Sequence, residues 1–358
     1  MISQLPYIEV WYPENNSLAS SPSPLKHESV LYFPSYLKHN TSTDVLIVGS
    51  GIAGLAAARQ LLLSGFSLVV LDKGRNTGGR MASRHVANAL IDHGAQHFSV
   101  RDPWFQEWVD SAIQAGAAKE WPTAAFNAST RYIGSQGMRN LMQFWAEGLP
   151  IEQNEQVVNL KYEADLWQVE TQSGKNYTCK ALLLTQPLPQ ALQLLQHAQL
   201  VDQFSFPADF HTLTYTHCLA LLCRTQQAPN WDSVLYPYGV QEPFSVMVDN
   251  LAKGISKEPA ISVHFNAECS LEHYEDSEEQ ALAFLSGAVK HLLPPVIEMI
   301  LTRWRYSQTE IPLHMDCWLS PETSLPLLAF AGDSFRASRV ESAALSGREA
   351  AKQLAERI

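Results

Sequence analysis

From Asp44 onward the hydrophobic positions fall into two periods. Val45 to Val48 is a continuous apolar run of strand length, too short for a helix. A glycine turn follows, and the small and apolar residues from Ile52 to Ser64 then predict a helix ended by Gly65. Leu68 to Leu71 predicts a second buried strand, so the segment is one βαβ unit. Farther on, "EQVVNLKYEADLWQVETQSGKNYTCKALLLTQP" alternates polar and apolar positions, with turns near Ala164-Asp165 and Ser173-Gly174, and ends in the apolar run Ala181 to Leu184. This pattern predicts a three-stranded meander that feeds a buried parallel strand. Residues 189–321 mix short strands such as "SVMVDN" and "AISVHFN" with a helix near Glu278 to Leu292. The segment "LPLLAFAGDSFRASRVESAALSGREAAKQLAERI" predicts a strand, a Gly-Asp turn and a small-residue helix from about Val340.

The expected fold is therefore α/β: a Rossmann-like domain with a parallel sheet and a three-stranded meander, plus a second, mixed α+β substrate domain. The first is assigned residues 44–98, 133–188 and 322–358, and the second residues 99–132 and 189–321. Residues 1–43 share neither period. Pro6, Pro13, Pro22, Pro24 and Pro34 interrupt them, so they read as an extension before the fold. Their apolar clusters "YIEVWY" and "VLYF" make the extension a candidate contact for the domain surface or a partner chain.

Composition narrows the function classes. The formal charge of -11 and the absence of any Lys/Arg run exclude a nucleic-acid groove. Cys179, Cys218, Cys223, Cys269 and Cys317 form no Cys-x-x-Cys pair and no metal-ligand spacing with histidines, which fits reduced thiols. No apolar stretch is long enough to span a bilayer, and no secretory signal is legible, so the expected compartment is cytoplasmic.

The chemistry concentrates in three glycine motifs. In Gly49-Ser50-Gly51-Ile52-Ala53-Gly54 the first glycine permits a tight turn, the second lets backbone approach a pyrophosphate, and the third lets helix pack on strand. Phosphates then face the positive end of the helix. Asp72, at the end of the second strand, suits both hydroxyls of an adenine ribose and disfavours a 2′-phosphate. A second group, Lys73 through Gly78-Gly79-Arg80, has no job in a simple NAD unit. Its glycines suit close passage beside a cofactor and its arginine suits a phosphate. The third piece is Ala331-Gly332-Asp333, read either as an ordinary turn or as an acceptor for a ribityl hydroxyl, with the helix from Val340 facing a flavin's pyrimidine edge.

Together with "DHGAQHF", these motifs resemble the FAD-binding start of the amine-oxidase and phytoene-desaturase type of flavoprotein, and more narrowly the renalase-like members. The resemblance continues through "IGSQGMRNLMQFW", "ISVHFNAE", "RWRYSQ" and "LLAFAGDSFRASRVESAALSGREAAKQL". The extension departs from the family pattern. The resemblance implies non-covalent FAD with Gly49, Gly51 and Gly54 on the pyrophosphate, Asp72 on the adenosine ribose, Arg80 near phosphate and Asp333 near the ribityl chain. It implies that Gly94, Ala95, Gln96, His97 and Phe98 approach the isoalloxazine, and that Ile52, Ala53, Lys73, Gly79, Val158, Gly332, Val340, Glu341 and Ala344 complete the cofactor site.

It also implies an oxidase of misreduced 2- and 6-dihydro-NAD(P), with O2 as acceptor and hydrogen peroxide as product. Hydride leaving C2 or C6 restores aromaticity without proton loss, so the site needs alignment and water exclusion rather than a general base. The alternatives are a flavin amine oxidase, which needs a neutral amine, and a non-catalytic flavin-binding redox sensor or partner-binding protein. Trp304, Tyr306 and Trp318 suit an amine cage but count first as core aromatics. Substrate-side candidates are Gln96, His97, His264 and Trp304; none is assigned as a base. His264 in "ISVHF" reads either as a histidine satisfied by backbone or as a partner of substrate or flavin.

Overall fold

The computed structural model describes residues 42–122, 130–237, 242–321 and 326–358, so the expected extension lies outside the described residues up to position 41. The βαβ unit forms strand Ser42–Val48, helix Ile52–Leu63 and strand Leu68–Asp72. These join a sheet of eight strands, ordered Trp318–Leu319, Leu327–Phe330, Asn176–Leu184, Ser42–Val48, Leu68–Asp72 and Ile151–Gln153, with the two other strands branching off Asn176–Leu184.

The continuous apolar runs are explained by burial on both faces. Leu46, Leu71, Leu182, Leu184, Leu328 and Phe330 point into one core. Their neighbours Val45, Ile47, Val70, Ala181, Leu183 and Ala329 point into another, against Ala57, Ala58 and Leu61 of the first helix and Ala350, Ala351 and Leu354 of helix Val340–Ala355. Small residues let these two helices touch: a Cβ on Gly347 would sit 2.0 Å from the Ala53 carbonyl oxygen.

The meander is Val157–Glu163, Leu166–Thr171 and Asn176–Leu184. Ala164 (φ 52°) and Asp165 (φ 62°) supply the two left-handed positions of its first hairpin turn. The third meander strand and the buried parallel strand are one continuous element, antiparallel to Leu166–Thr171 through Cys179 and parallel to Ser42–Val48 along its length.

The second sheet is antiparallel, ordered Val234–Leu235, Phe244–Asp249, Ala260–Phe265, Tyr215–Thr225 and Val296–Thr309. One face, with Leu221, Val263 and Phe265, is covered by helix Glu278–Val289 through Ala281, Leu285 and Val289. Directly opposed residues share a face, so Ser262, His264, Ala220, Leu222, Ile300, Thr302 and Trp304 lie on the other. There Leu222, Ala260 and Ile300 pack on Val86, Ala89 and Ile91 of the hairpin Ser83–Val86/Ala89–Asp92, which joins the two sheets.

Two segments expected on the substrate side pack elsewhere. Helix Pro103–Gln114 is capped by Asp102, which accepts from Trp104 N (3.0 Å), and it buries Phe105, Val109 and Ala112 against Ile52, Leu55 and Ala344. Helix Leu188–His197, with Phe204 and Phe210, covers the parallel sheet. The cause is apolar spacing of one helical turn, which binds each helix to the nearest unfilled sheet or helix face. Trp318 joins the same aromatic core, 5.5 Å from Phe330, and stands away from the cage expected for an amine. No helix among the described residues is long and apolar enough to cross a membrane.

Candidate functional site

The glycine motifs meet at the carboxyl ends of neighbouring parallel strands, where α/β sheets open their ligand crevice. Gly49 (φ 106°) turns the chain out of Ser42–Val48, and Thr185, just past Leu184, donates through Oγ1 to Val48 O (2.9 Å) and Gly49 O (3.1 Å). A Cβ on Gly54 would lie 2.0 Å from Gly49 O, so the helix can approach the turn only without one. Asp72 accepts from Ser50 N and Ser50 Oγ (both 2.6 Å) and from Gly74 N (2.7 Å), tying the first turn to the loop after the second strand.

Gly78 donates to Ser50 O (3.1 Å), and a Cβ on Gly79 would stand 3.6 Å from Gly51 Cα. The second glycine group is therefore laid backbone to backbone on the first. A Cβ on Gly51, the N-cap of a helix with no side-chain cap, would project into open space. That is a cradle whose backbone donors suit a pyrophosphate, and the residues fit a dinucleotide cofactor.

Arg80 and Asp333, expected near phosphate and near the ribityl chain, are bonded to one another. The guanidinium donates to both carboxylate oxygens (2.6 and 2.5 Å) and to the carbonyls of Tyr306 (3.3 Å) and Ser307 (3.1 Å). Asp333 also accepts from Tyr215 Oη (3.3 Å) and Ser338 Oγ (3.3 Å). This pair ties the glycine loop to the far end of strand Val296–Thr309. Burial, and after it the Asp333 charge, push the Tyr215 phenol up.

Other expected cofactor residues take varied places. Lys73 is exposed, and Val158 is half-buried at a register shift in its strand. Ile52, Ala53 and Ala344 are buried in the contact between helices Ile52–Leu63 and Val340–Ala355. Glu341 accepts from the backbone of Arg101 (2.6 Å) and Asp102 (2.7 Å), which ties helix Val340–Ala355 to the start of helix Pro103–Gln114. Val340 opens that helix, and Gly332 (φ 141°) donates to Ser346 Oγ (3.0 Å). Gly94 passes so close to Arg80 that a Cβ would fall 1.8 Å from its carbonyl oxygen, and Ala95 N bonds that same oxygen (2.9 Å).

Gln96 and His264 meet: Gln96 Nε2 lies 3.3 Å from His264 Nε2. Trp304 donates from Nε1 to His93 O (2.7 Å) and stacks on the His93 ring at 5.4 Å. His97 stands 6.0 Å from the Trp121 ring. Burial holds His93, His97 and His264 far below the ordinary histidine value, each down to about 4, with nearby Arg139, Lys253 and His93 charges respectively adding to it.

Sequence reasoning missed the centre of this junction. Lys253, fully buried, donates to Asp92 (2.8 Å), itself fully buried, and to Gln96 Oε1 (3.2 Å). Asp92 further accepts from Ser83 Oγ (2.5 Å) and Met138 N (2.9 Å). Burial lowers the Lys253 value, and Asp92 opposes that. The one signal in the sequence was a lysine in the tight turn after "SVMVDN", which reads as solvated. The five cysteines are free, and burial pushes Cys179, Cys218, Cys223 and Cys317 up to about 12 and Cys269 up to about 11, so they are inert as nucleophiles.

Comparison with known proteins agrees with this geometry. The family described as flavin containing amine oxidoreductase matches residues 105–355, and a NAD(P)-binding Rossmann-like domain matches residues 47–112. Renalase of Mus musculus is 22% identical over 334 residues, spanning 81% of this chain and 92% of that protein. A putative protoporphyrinogen oxidase from Exiguobacterium sp. 255-15 superposes with a TM-score of 0.67 at 13% identity, covering 88% of this chain and 99% of that one. Putrescine oxidase bound to putrescine gives 0.62 at 15% identity, with 88% and 99% covered. Those two likenesses concern the fold alone. The family match spans most of the chain and the glycine motifs bond one another, so the chain belongs to the flavin containing amine oxidoreductases, as a renalase-like flavin-dependent oxidoreductase.

Proposed function

We propose that the protein binds FAD non-covalently and oxidises 2- and 6-dihydro isomers of NAD(P) to the ordinary oxidised nicotinamide. When bound, FAD supplies hydride acceptance at N5 and delivery of the electron pair to O2. Per turnover one dihydronicotinamide, one O2 and one proton from water yield one oxidised nicotinamide and one hydrogen peroxide.

The observation that carries this reading is the pairing of both buried carboxylates with cations where the two sheets meet, Asp92 with Lys253 and Asp333 with Arg80. His93, His97 and His264 are held at about 4, which leaves them neutral and weakly basic at pH 7. The carboxylates there, Asp92 and Asp333, are each bonded to a cation, Lys253 and Arg80. Such a site is poorly equipped to take a proton from an ammonium whose own value lies near about 10. It suits a neutral dihydropyridine that surrenders hydride and no proton. The residues act by binding and by excluding water: the Gly49–Gly54 turn and Gly79 at the pyrophosphate, and the Ser262, His264 and Trp304 face at the reacting ring. The likeness to renalase, extending over 81% of the chain, supports the same reading.

The test is anaerobic mixing of the FAD-loaded protein with a dihydro-NAD isomer preparation, ordinary NADH and a panel of amines in separate runs. Bleaching of the flavin spectrum by an isomer alone, with peroxide on readmission of air, is the expected result. Bleaching by an amine alone replaces this reading with amine oxidation, and a flavin that none of them reduces points to the sensor or partner-binding alternative.

Asp72→Ala tests the nucleotide end. It removes the acceptor of Ser50 N, Ser50 Oγ and Gly74 N, so purified protein is expected to keep its far-UV circular dichroism and to lose most of its flavin. Full occupancy in that variant takes Asp72 out of the cofactor site.

A further inference from the structure

Lys253 is a buried cation that the proposed chemistry does not use. It sits in the turn between strands Phe244–Asp249 and Ala260–Phe265, where Asp249 Oδ1 accepts from Leu251 N (2.9 Å) and Ala252 N (3.3 Å) and Gly254 takes φ 76°. A turn this tightly bonded holds its side chain in one place.

An ammonium has three donors and no acceptor. Held by Asp92 Oδ2 (2.8 Å), it donates to Gln96 Oε1 (3.2 Å) and so helps to set which end of the Gln96 amide faces which neighbour. Ser262 Oγ donates to the same Oε1 (3.4 Å). The amide nitrogen consequently turns toward Asp92 O (2.7 Å), Gly94 O (3.3 Å) and His264 Nε2 (3.3 Å). An amide NH2 cannot accept a hydrogen bond, so a proton on His264 Nε2 would face a donor. Nε2 must be the lone-pair nitrogen.

We propose that Lys253 is a positioning residue which, acting through Gln96, holds His264 as its neutral Nδ1–H tautomer. Asp92 keeps the lysine charged and paired, and Asn250 secures Asp92 by accepting its N–H (3.3 Å) and bonds Ser262 Oγ through Nδ2 (3.3 Å). The consequence rests on the reading above that this sheet face stands beside the nicotinamide. A ring that donates through Nδ1 recognises an acceptor such as a carboxamide oxygen and has no partner for an ammonium, which only donates.

The experiment uses the full-length, FAD-loaded protein labelled with 15N-histidine, with imidazole 15N–1H correlation spectra recorded at pH 7. His264→Gln identifies the resonances. The expected wild-type spectrum has a protonated Nδ1 and an unprotonated Nε2 on His264; a protonated Nε2 overturns the proposal. Gln96→Glu replaces the amide donor by a carboxylate that only accepts, so the His264 proton is expected to move to Nε2, and a ring that stays Nδ1–H overturns the role of Gln96. In Lys253→Met the Gln96 Oε1 loses its ammonium donor while the amide nitrogen keeps the carbonyls of Asp92 and Gly94, so the Nε2–H form is expected to rise from undetectable to a minor but measurable population. An unchanged ring in a folded Lys253→Met protein overturns the role of Lys253. Should that variant not fold, Lys253→Met is combined with Asp92→Asn, which leaves no unpaired charge, and an unchanged His264 ring there overturns the role of Lys253. The tautomer is read without turnover, so its failure and the failure of the substrate assignment are separate results.

Discussion

Asp92→Ala is expected to lower the stability of the folded protein by about 3–5 kcal/mol, the range for removing one partner of a buried ion pair. The size follows from what the carboxylate does. It is the anion for Lys253, whose side chain is fully buried, and the acceptor for Ser83 Oγ. It also accepts from Met138 N at the start of helix Met138–Ala146, whose N-cap, Gly137, has no side chain to offer. Alanine leaves an ammonium in the interior without a counter-charge, with the neutral Gln96 Oε1 as its remaining acceptor. Pairing Asp92→Leu with Lys253→Met is expected to recover the part of the loss that comes from the unpaired ammonium, while Ser83 Oγ and Met138 N remain without their acceptor. Urea unfolding followed by near-UV circular dichroism measures both. A loss of less than about 1 kcal/mol in Asp92→Ala would place the pair among weak surface bridges.

The second large effect is with acid. His93, His97 and His264 are held at about 4, against 6.5 for an unperturbed histidine. Their folded values are below their unfolded ones, so between these limits the unfolded chain binds protons that the folded chain refuses. Stability is therefore fully present above pH 6.5 and is lost as the pH falls toward 4. With three such groups the slope reaches up to about 4 kcal/mol per pH unit. For a domain of this size that corresponds to a fall in melting temperature of roughly 6 °C per unit. Asp44, held down to about 2 by Lys180 and Ser67, loses its contribution at a lower pH, so the two windows separate. Melting curves from pH 7.5 to 4.5 check this. The slope should flatten by about a third in His264→Gln, and a melting temperature independent of pH over that range refutes the burial of these rings as neutral groups.

What was legible in the sequence is what is local. The turn Gly49 to Gly54, Asp72 at the end of the next strand and the hairpin at Ala164-Asp165 are each decided by backbone conformation and near neighbours, and the turns and strand end formed where the pattern predicted them. The charged pairs were not legible. Lys253 and Asp92 are 161 positions apart, and Arg80 and Asp333 are 253 apart, so no periodicity links them. A charged residue in a turn looks solvated until a second sheet is laid over it. Arg80 and Asp333 were each assigned to a cofactor group because each adjoins a glycine motif, and nothing in either motif says that the two side chains bond one another. Similarly, the helix Pro103–Gln114 carries an amphipathic stripe, but the stripe does not say which of two cores it will fill.

The sheet order bears on synthesis as well as on stability. Strand Asn176–Leu184 pairs with Ser42–Val48 on one side and with Leu327–Phe330 on the other, and helix Ile52–Leu63 is covered by helix Val340–Ala355. The early βαβ unit thus leaves the ribosome without the elements that shield it. At roughly 5–20 residues per second, its apolar surface waits on the order of ten seconds or more for Leu327–Phe330 and Val340–Ala355 to be made. During that interval Val45, Ile47, Ala57, Ala58 and Leu61, all fully buried in the finished fold, are open to chaperones and to the same segment of other nascent chains. The yield of folded protein should accordingly depend on chaperone supply and translation speed even where the finished molecule is stable.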